Sequence, residues 1–369
     1  MRLCSIAVLA LSLRASSAFA AQVNGTYIAG LIRTLTALNL TSYLTVVSQF
    51  ANTTSGIEFL NTLSSGAPLT LFTPNNDAWG GVPSAFTNDY VWLSRIFAYH
   101  VIPGHFPLSS IPRRPRNAVF PTFLTDPSIV LLNGKPQNIA LTKVGNTTQV
   151  AHQNNWPCII MQTAKYQNLN IYVTSTVIDL PPTFDYFLAD PQAVSAVPNS
   201  LTLSVLASIL GANSSQLLAT VPSLTYFLPT DAAFLDAQRR GVFGPDTNVT
   251  TIEDIVRNHL INGTIVTTGL PLKNYTSAGG QQITVGVGPT TNETGTTGTV
   301  VYYQGIPPVA NIVWGDIPVQ NGIVHLIDAV LTNANYTPKA RRGRRDNAME
   351  QAQELPGRRT WIPSRVWRP

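Results

Sequence analysis

The chain has 369 residues, longer than one hydrophobic core usually serves, and its length favours two domains. Apolar residues make up 44% and charged residues only 11%, against about 25% in an ordinary soluble protein, so Ser, Thr, Asn and Gln must supply much of the wettable surface. The formal net charge of +5 sits at the ends: residues 339–369 hold nine Lys or Arg against three Asp or Glu, Arg2 and Arg14 add two more, and the body is left near −3. That balance excludes a nucleic-acid reading of the folded part based on the high pI.

Residues 1–20 read as a secretory signal, with Arg2 at the start, an apolar run from Leu3 to Leu13, and Ala18-Phe19-Ala20 as a small-x-small cleavage site. Arg14 is an unusual charge for a signal, and a membrane-anchored start is the alternative. No later segment reaches the roughly 20 apolar residues of a membrane span. Ile28, Leu31, Ile32, Leu35 and Leu38 then follow helical spacing. LTLFTPNNDAW (69–79) reads as a strand running into Pro74, a polar pair Asn75-Asn76 able to cap a helix, and an aromatic on the first turns. FAYHVIPG (97–104) reads as a helix end carrying His100 and closing at Gly104. Cys158 opens the apolar run CIIM and reads as a core residue, with intermolecular pairing as the alternative. NLNIYVTSTVI (168–178) alternates like a strand.

The same order then returns. Leu203, Leu206 and Leu210 have helical spacing, and LTYFLPTDAAF (224–234) repeats the strand, Pro229 and the capping pair Thr230-Asp231. VRNHLING (256–263) repeats the helix end with His259 and Gly263. QQITVGV (281–287) and TVVYY (299–303) suggest hairpin strands around the glycine-rich GVGPTTNETGTTG (286–298). NGIVHLIDAVL (321–331) supplies the closing strand. The three paired segments lie 155, 159 and 153 residues apart, which points to duplication of a unit of helices followed by strands, an α+β arrangement.

These segments resemble the fasciclin (FAS1) domain, over roughly residues 23–334. The second copy fits the family pattern more closely, with Asn321, Gly322, His325 and Asp328 in place, whereas the first has Leu169, Tyr172 and Ser175 at three of these positions. The resemblance implies two tandem domains, 23–182 and 185–334, each a twisted β-sandwich or wedge with a helical lobe, followed by a basic tail, 335–369. Pro74, Asn76, His100, Gly104, Pro229, Asp231, His259, Gly263, Asn321, Gly322, His325 and Asp328 would then be structural motif positions. It implies a secreted adhesion protein of matrix, cell wall or cell surface that meets extracellular protein or glycan partners over its exterior, with weak self-association left open. An extracellular carrier of a small apolar ligand or lipid is the alternative. Tyr99-His100 is similar to a tyrosine-histidine adhesion motif of animal members, and Asp316-Ile317 to an Asp-Ile motif before the closing strand. Both are candidates for partner contact. The competing reading places His100 at a helix end, donating to the last carbonyls, with Tyr99 filling apolar space.

No enzyme signature stands out. The five His are not at metal-ligand spacing, and no nucleophile elbow, P-loop or dinucleotide fingerprint is present, so no metal or cofactor is expected. Ten N-x-S/T sequons, headed by Asn24, Asn39, Asn52, Asn146, Asn213, Asn248, Asn262, Asn274, Asn292 and Asn335, are the most abundant chemical signal, and glycans there would supply the missing hydration. The tail from Lys339 reads as disordered. It is open to three readings: an arm for anionic polysaccharide or membrane, a segment clipped at Arg341-Arg342 or Arg344-Arg345, or a gene-prediction artefact.

Overall fold

The computed structural model describes residues 24–332 apart from 154–156, 196, 243–248, 268–272, 292–296 and 304–305. The signal segment, the tail and the sequons at Asn248, Asn292 and Asn335 lie outside the described residues, as does the middle of the glycine-rich stretch.

Two seven-stranded sheets share no strand. The first contains β1 (Leu69–Pro74), β2 (Val101–Pro103), β3 (Ala118–Pro121), β4 (Asn138–Val144), β5 (Thr147–Val150), β6 (Cys158–Tyr166) and β7 (Leu169–Thr174), in the spatial order β2-β1-β7-β6-β5-β4-β3. The second contains β8 (Leu224–Pro229), β9 (Leu260–Asn262), β10 (Lys273–Thr276), β11 (Gln282–Thr291), β12 (Thr297–Tyr303), β13 (Ile306–Val319) and β14 (Gly322–Ile327). Read from its β9 edge, its order β9-β8-β14-β13-β12-β11-β10 reproduces the first sheet strand for strand. In each, a strand from the start of the unit pairs in parallel with the last, Leu69 against Leu169 and Leu224 against Gly322.

Those central strands are covered on both faces, which is why they read as nearly continuous apolar runs rather than as alternation. Period-2 geometry sends Leu69, Leu71, Leu169, Ile171 and Val173 into one core with the helices, and Phe72 and Tyr172 into a second core inside the bent sheet. The second unit divides the same way, with Leu224, Tyr226, Leu228, Val324 and Leu326 toward the helices and Phe227 and Ile327 opposite. Each unit is thus a sheet folded into a wedge with a helical lobe.

The helices follow from caps and apolar stripes. The Gly25–Ala37 helix starts where Asn24 accepts from Tyr27 N at 3.0 Å, and it buries Ile28, Leu31, Ile32 and Leu35. Thr53 caps Thr54–Leu63, and Asp89 caps Tyr90–Tyr99 by accepting from Val91 N and Trp92 N. The Ser204–Thr220 helix kinks at Gly211, whose φ of 64° suits glycine. Cys158 is fully buried and unpaired, and burial pushes its thiol pKa up to about 11, so it is inert packing.

The two units touch along one seam, where β13 packs on β4. Leu131 N donates to Gln320 O at 2.8 Å while Ser223 N donates to Leu131 O at 2.8 Å, and Gln320 N donates to Pro182 O at 2.9 Å. The buried Gln137 donates Nε2 to Val319 O at 3.0 Å. Arg114 lays its guanidinium over the Trp314 ring, 4.3 Å from the centroid.

Candidate functional site

The motif residues form two equivalent sets, and their polar atoms are spent inside each unit. At the end of β1, Pro74 leads into Asn75, which accepts from Ala78 N at 2.8 Å and so caps its own short helix. Asn76 reaches further: its Oδ1 accepts from Ser42 N at 2.9 Å and its Nδ2 donates to Asn39 O at 2.7 Å. It thereby caps the Thr41–Phe50 helix, whose own N-cap residue Leu40 offers no side-chain acceptor. After Pro229, Thr230 accepts from Ala233 N at 3.3 Å, and Asp231 accepts from Ser204 N at 3.1 Å and Val205 N at 2.8 Å, capping a helix that begins at the equally apolar Leu203.

His100 and His259 act as double pins. Each shares Nδ1 with the carbonyl one turn back, Ile96 or Ile255, at 2.7 Å, and each accepts at Nε2 from a backbone N–H beyond the last strand, Ile178 at 3.0 Å or Leu331 at 2.9 Å. An accepting Nε2 assigns the proton to Nδ1, so both rings are neutral. Burial drives both pKa values down to about 4, partly offset by the backbone acceptor. Gly104 and Gly263 close the following turn at φ 92° and 101°, donating to Pro68 O and Ser223 O, while Thr70 and Thr225 donate to their carbonyls.

The closing strands solve one problem with different residues. Asn321 donates Nδ2 to Leu218 O and Val221 O at 2.8 and 2.7 Å, and Asn168 donates to Leu63 O and Ala67 O at 3.1 and 2.6 Å. His325 donates Nε2–H to Ile265 O at 2.8 Å, and in the first unit the Tyr172 hydroxyl donates to the matching Phe106 O. Asp328 accepts from Asn311 N at 2.7 Å, and Ser175 accepts from Ile159 N at 2.9 Å. Two departures of the first copy, Tyr172 and Ser175, are therefore substitutions of donor or acceptor at a shared geometry, while Leu169 fills the helix-side core where the second copy has Gly322. Gly322 lies against backbone, and a Cβ there would stand 1.9 Å from Leu224 O.

The four residues expected to meet a partner are interior. Tyr99, His100 and Asp316 are each 1% exposed and Ile317 is 0% exposed. The Tyr99 hydroxyl donates to Asn138 O at 3.0 Å. Asp316 accepts from Thr267 N at 2.7 Å, from the Thr267 hydroxyl, and across the seam from Asn117 Nδ2 at 3.2 Å, while its own N–H donates to His325 Nδ1 at 3.0 Å. In this fold the four side chains are packed inside, Tyr99, His100 and Asp316 on hydrogen-bond partners and Ile317 in the apolar core. Sequence reasoning missed Asn117, Gln137, Leu131 and the Arg114–Trp314 stack altogether.

Outside the motifs, the described sequon residues Asn24, Asn39, Asn52, Asn146, Asn213, Asn262 and Asn274 are all exposed. The apolar spaces between helical lobe and sheet, lined by Leu206, Ile255 and His259 in one unit and by Ile28, Leu31 and Leu60 in the other, each hold about 20 Å³, room for one water. Among the described residues no three His, Cys, Asp or Glu side chains converge as a metal site, and no helix is long and apolar enough to cross a membrane.

The fasciclin-domain family model matches the chain twice, over residues 45–181 and 202–333. Among solved structures, the chain is similar to a FAS1 domain pair from the insect cell adhesion molecule fasciclin I, with 16% identity, 79% of this chain and 98% of that chain covered, and a TM-score of 0.37. No curated protein sequence matches it.

Proposed function

The chain belongs to the fasciclin family, and on that premise we propose that it is a secreted, N-glycosylated adhesion protein of the extracellular matrix or cell wall, binding protein or glycan partners over its exterior. In this reading residues 1–20 are removed, domains span 23–182 and 185–334, and residues 335–369 form a basic tail. One observation carries it: in both units the pinning histidines are buried and both ring nitrogens are taken by backbone partners, which leaves the outer surface for recognition.

Two features support the reading. All seven described sequon residues are exposed, where glycans fit without unfolding. The spaces between lobe and sheet, about 20 Å³ each, and an open cleft of about 180 Å³ beside Phe50, Phe59 and Phe123 all fall below the roughly 300 Å³ of a small-molecule site, which weighs against the carrier alternative. The test is fractionation of producing cells: the chain should be recovered outside them, shift in mass on enzymatic deglycosylation, and be retained by isolated matrix or wall material. Retention inside the cell without glycans would overturn the reading.

A further inference from the structure

The first domain carries a concentration of positive charge that its fold does not neutralise. The segment 111–117 reads IPRRPRN, and Arg113, Arg114 and Arg116 stand exposed on a turn closed by Arg116 N to Arg113 O at 3.1 Å. The turn is fastened to β4, with Arg114 N donating to Lys143 O at 3.0 Å, Lys143 N to Pro112 O at 2.8 Å, and Thr142 Oγ1 to Arg116 O at 2.9 Å. Lys143 is thereby brought beside the three arginines, its ammonium on Ser109 O at 3.2 Å.

Among the described residues the ion pairs are Arg95–Asp126 and Arg240–Asp236, so no carboxylate neutralises these four cations. Between Asp89 and Asp179 the sequence offers a single acid, Asp126, and Arg95 already holds it. The body of the chain is slightly acidic overall, so the cluster is not a by-product of a basic composition. Two of the guanidinium groups are also held in place. Arg113 donates to Gly145 O at 2.7 Å and to Asn146 Oδ1 at 3.4 Å, and Arg114 lies on Trp314. Groups fixed beforehand lose less freedom when a ligand arrives.

We propose that this patch docks a linear anionic polysaccharide, one bearing carboxylate or sulfate groups along its length. The assignment deepens the adhesion reading and rests on it. A guanidinium fork pairs both oxygens of a carboxylate or sulfate, and a polymer with repeated anions meets successive cations without a pocket. A lipid bilayer fits less well, because among the described residues around the patch, 112–116 and 143–146, Val144 alone exposes a large apolar side chain, too little to enter it. The second domain has only Lys273 near the matching position, so the site belongs to the first domain alone.

The test compares the full chain with Arg113→Gln/Arg116→Gln/Lys143→Gln and with a control of equal charge loss at exposed sites elsewhere, Arg33→Gln/Lys165→Gln/Arg239→Gln. Arg114 is kept because it stacks across the seam. The tail is identical in all three proteins, so any difference reads the patch. Probes are polygalacturonate, dextran sulfate, plain dextran, and phosphatidylcholine vesicles containing phosphatidylserine. The expected result is binding of one or both polyanions by the full chain and the control, weakening as salt rises, with the patch variant roughly tenfold weaker. Undiminished polyanion binding by the patch variant, equal loss in the control, equal binding of plain dextran, or a larger loss of vesicle binding than of polyanion binding in the patch variant would overturn the assignment. Adhesion to matrix without any polyanion binding sinks this inference and leaves the adhesion reading intact, whereas failure of both sinks the reading beneath it.

Discussion

Asn117 of the first domain donates its Nδ2 to the Asp316 carboxylate of the second at 3.2 Å and to Gly315 O at 2.9 Å, so one amide ties the two wedges together across 199 residues of chain. All of these atoms are buried. Truncating Asn117 removes this buried donor from Gly315 O and one of the donors to Asp316, which keeps its bonds from Thr267, at about 1–3 kcal/mol for such a loss. Asn117→Ala should lower the thermal midpoint and split a joint transition into two in calorimetry. A single transition at the original temperature would show that the amide does not couple the domains.

The pinned histidines make the fold acid-sensitive. In His100 and His259 the folded pKa is depressed to about 4, below the unfolded value near 6.5, so the unfolded chain binds the extra proton. Their contribution is complete above about pH 6.5 and is lost as pH falls toward 4, by up to roughly 3 kcal/mol for each fully buried ring. His152, pushed down to about 3 by burial and by Arg114, and His325, lowered by burial against the pull of Asp316, act in the same direction. Asp179, raised to about 6 by burial, opposes them with one proton. Urea midpoints measured from pH 7 to pH 4 should fall steadily, with a shallower slope for His100→Gln. A flat profile would contradict the neutral-pin description.

Tyr172 and His325 perform the same task, and they should respond differently to truncation. Tyr172→Phe removes only the hydroxyl that Phe106 O accepts, at about 1 kcal/mol. His325→Ala removes donors and acceptors to Ile265 O and Asp316 N together and opens a cavity beside Phe227, at about 3 kcal/mol or more. Chemical denaturation of the two variants tests the order, and equal costs would argue against it.

Gly322 should tolerate no side chain. Alanine there places Cβ against Leu224 O and must part the parallel β8–β14 pair, so Gly322→Ala should cost more than about 3 kcal/mol. Gly25→Ala, with nothing within 4 Å of the added atom at the first turn of its helix, should be neutral or slightly stabilising. Expression yield and midpoint of the pair give the comparison.

Legibility in the sequence divided along the range of the interactions. The strand-Pro-cap segments, the helical stripe from Ile28 to Leu35 and the apolar closing strands are local patterns, and the structure places helices and strands over them, although residues 169–174 are buried throughout rather than alternating. The duplication was readable because paired segments keep near-constant spacing, and the matching strand orders express it. Asp316 depends on long range instead. The resemblance of Asp316-Ile317 to an Asp-Ile motif marks it for partner contact, while the bonds from Thr267 and Asn117, 49 and 199 residues away, hold it in the interior. Tyr172 departs from the family pattern in residue type, whereas the fold preserves a donor to the matching carbonyl. The seam left no trace, since Leu131 and Gln137 sit in irregular segments and Gln320 in a turn, where the local sequence carries no periodicity.

Attachment of cells or wall fragments to a surface coated with the full chain, alongside Tyr99→Phe and Asp316→Asn proteins verified as folded, tests the account most directly. The prediction is saturable attachment to the native chain, undiminished in either folded variant because both residues lie inside. No attachment to the native chain would contradict the adhesion function. Attachment lost in a folded Tyr99→Phe protein would contradict the interior role given to the tyrosine-histidine pair.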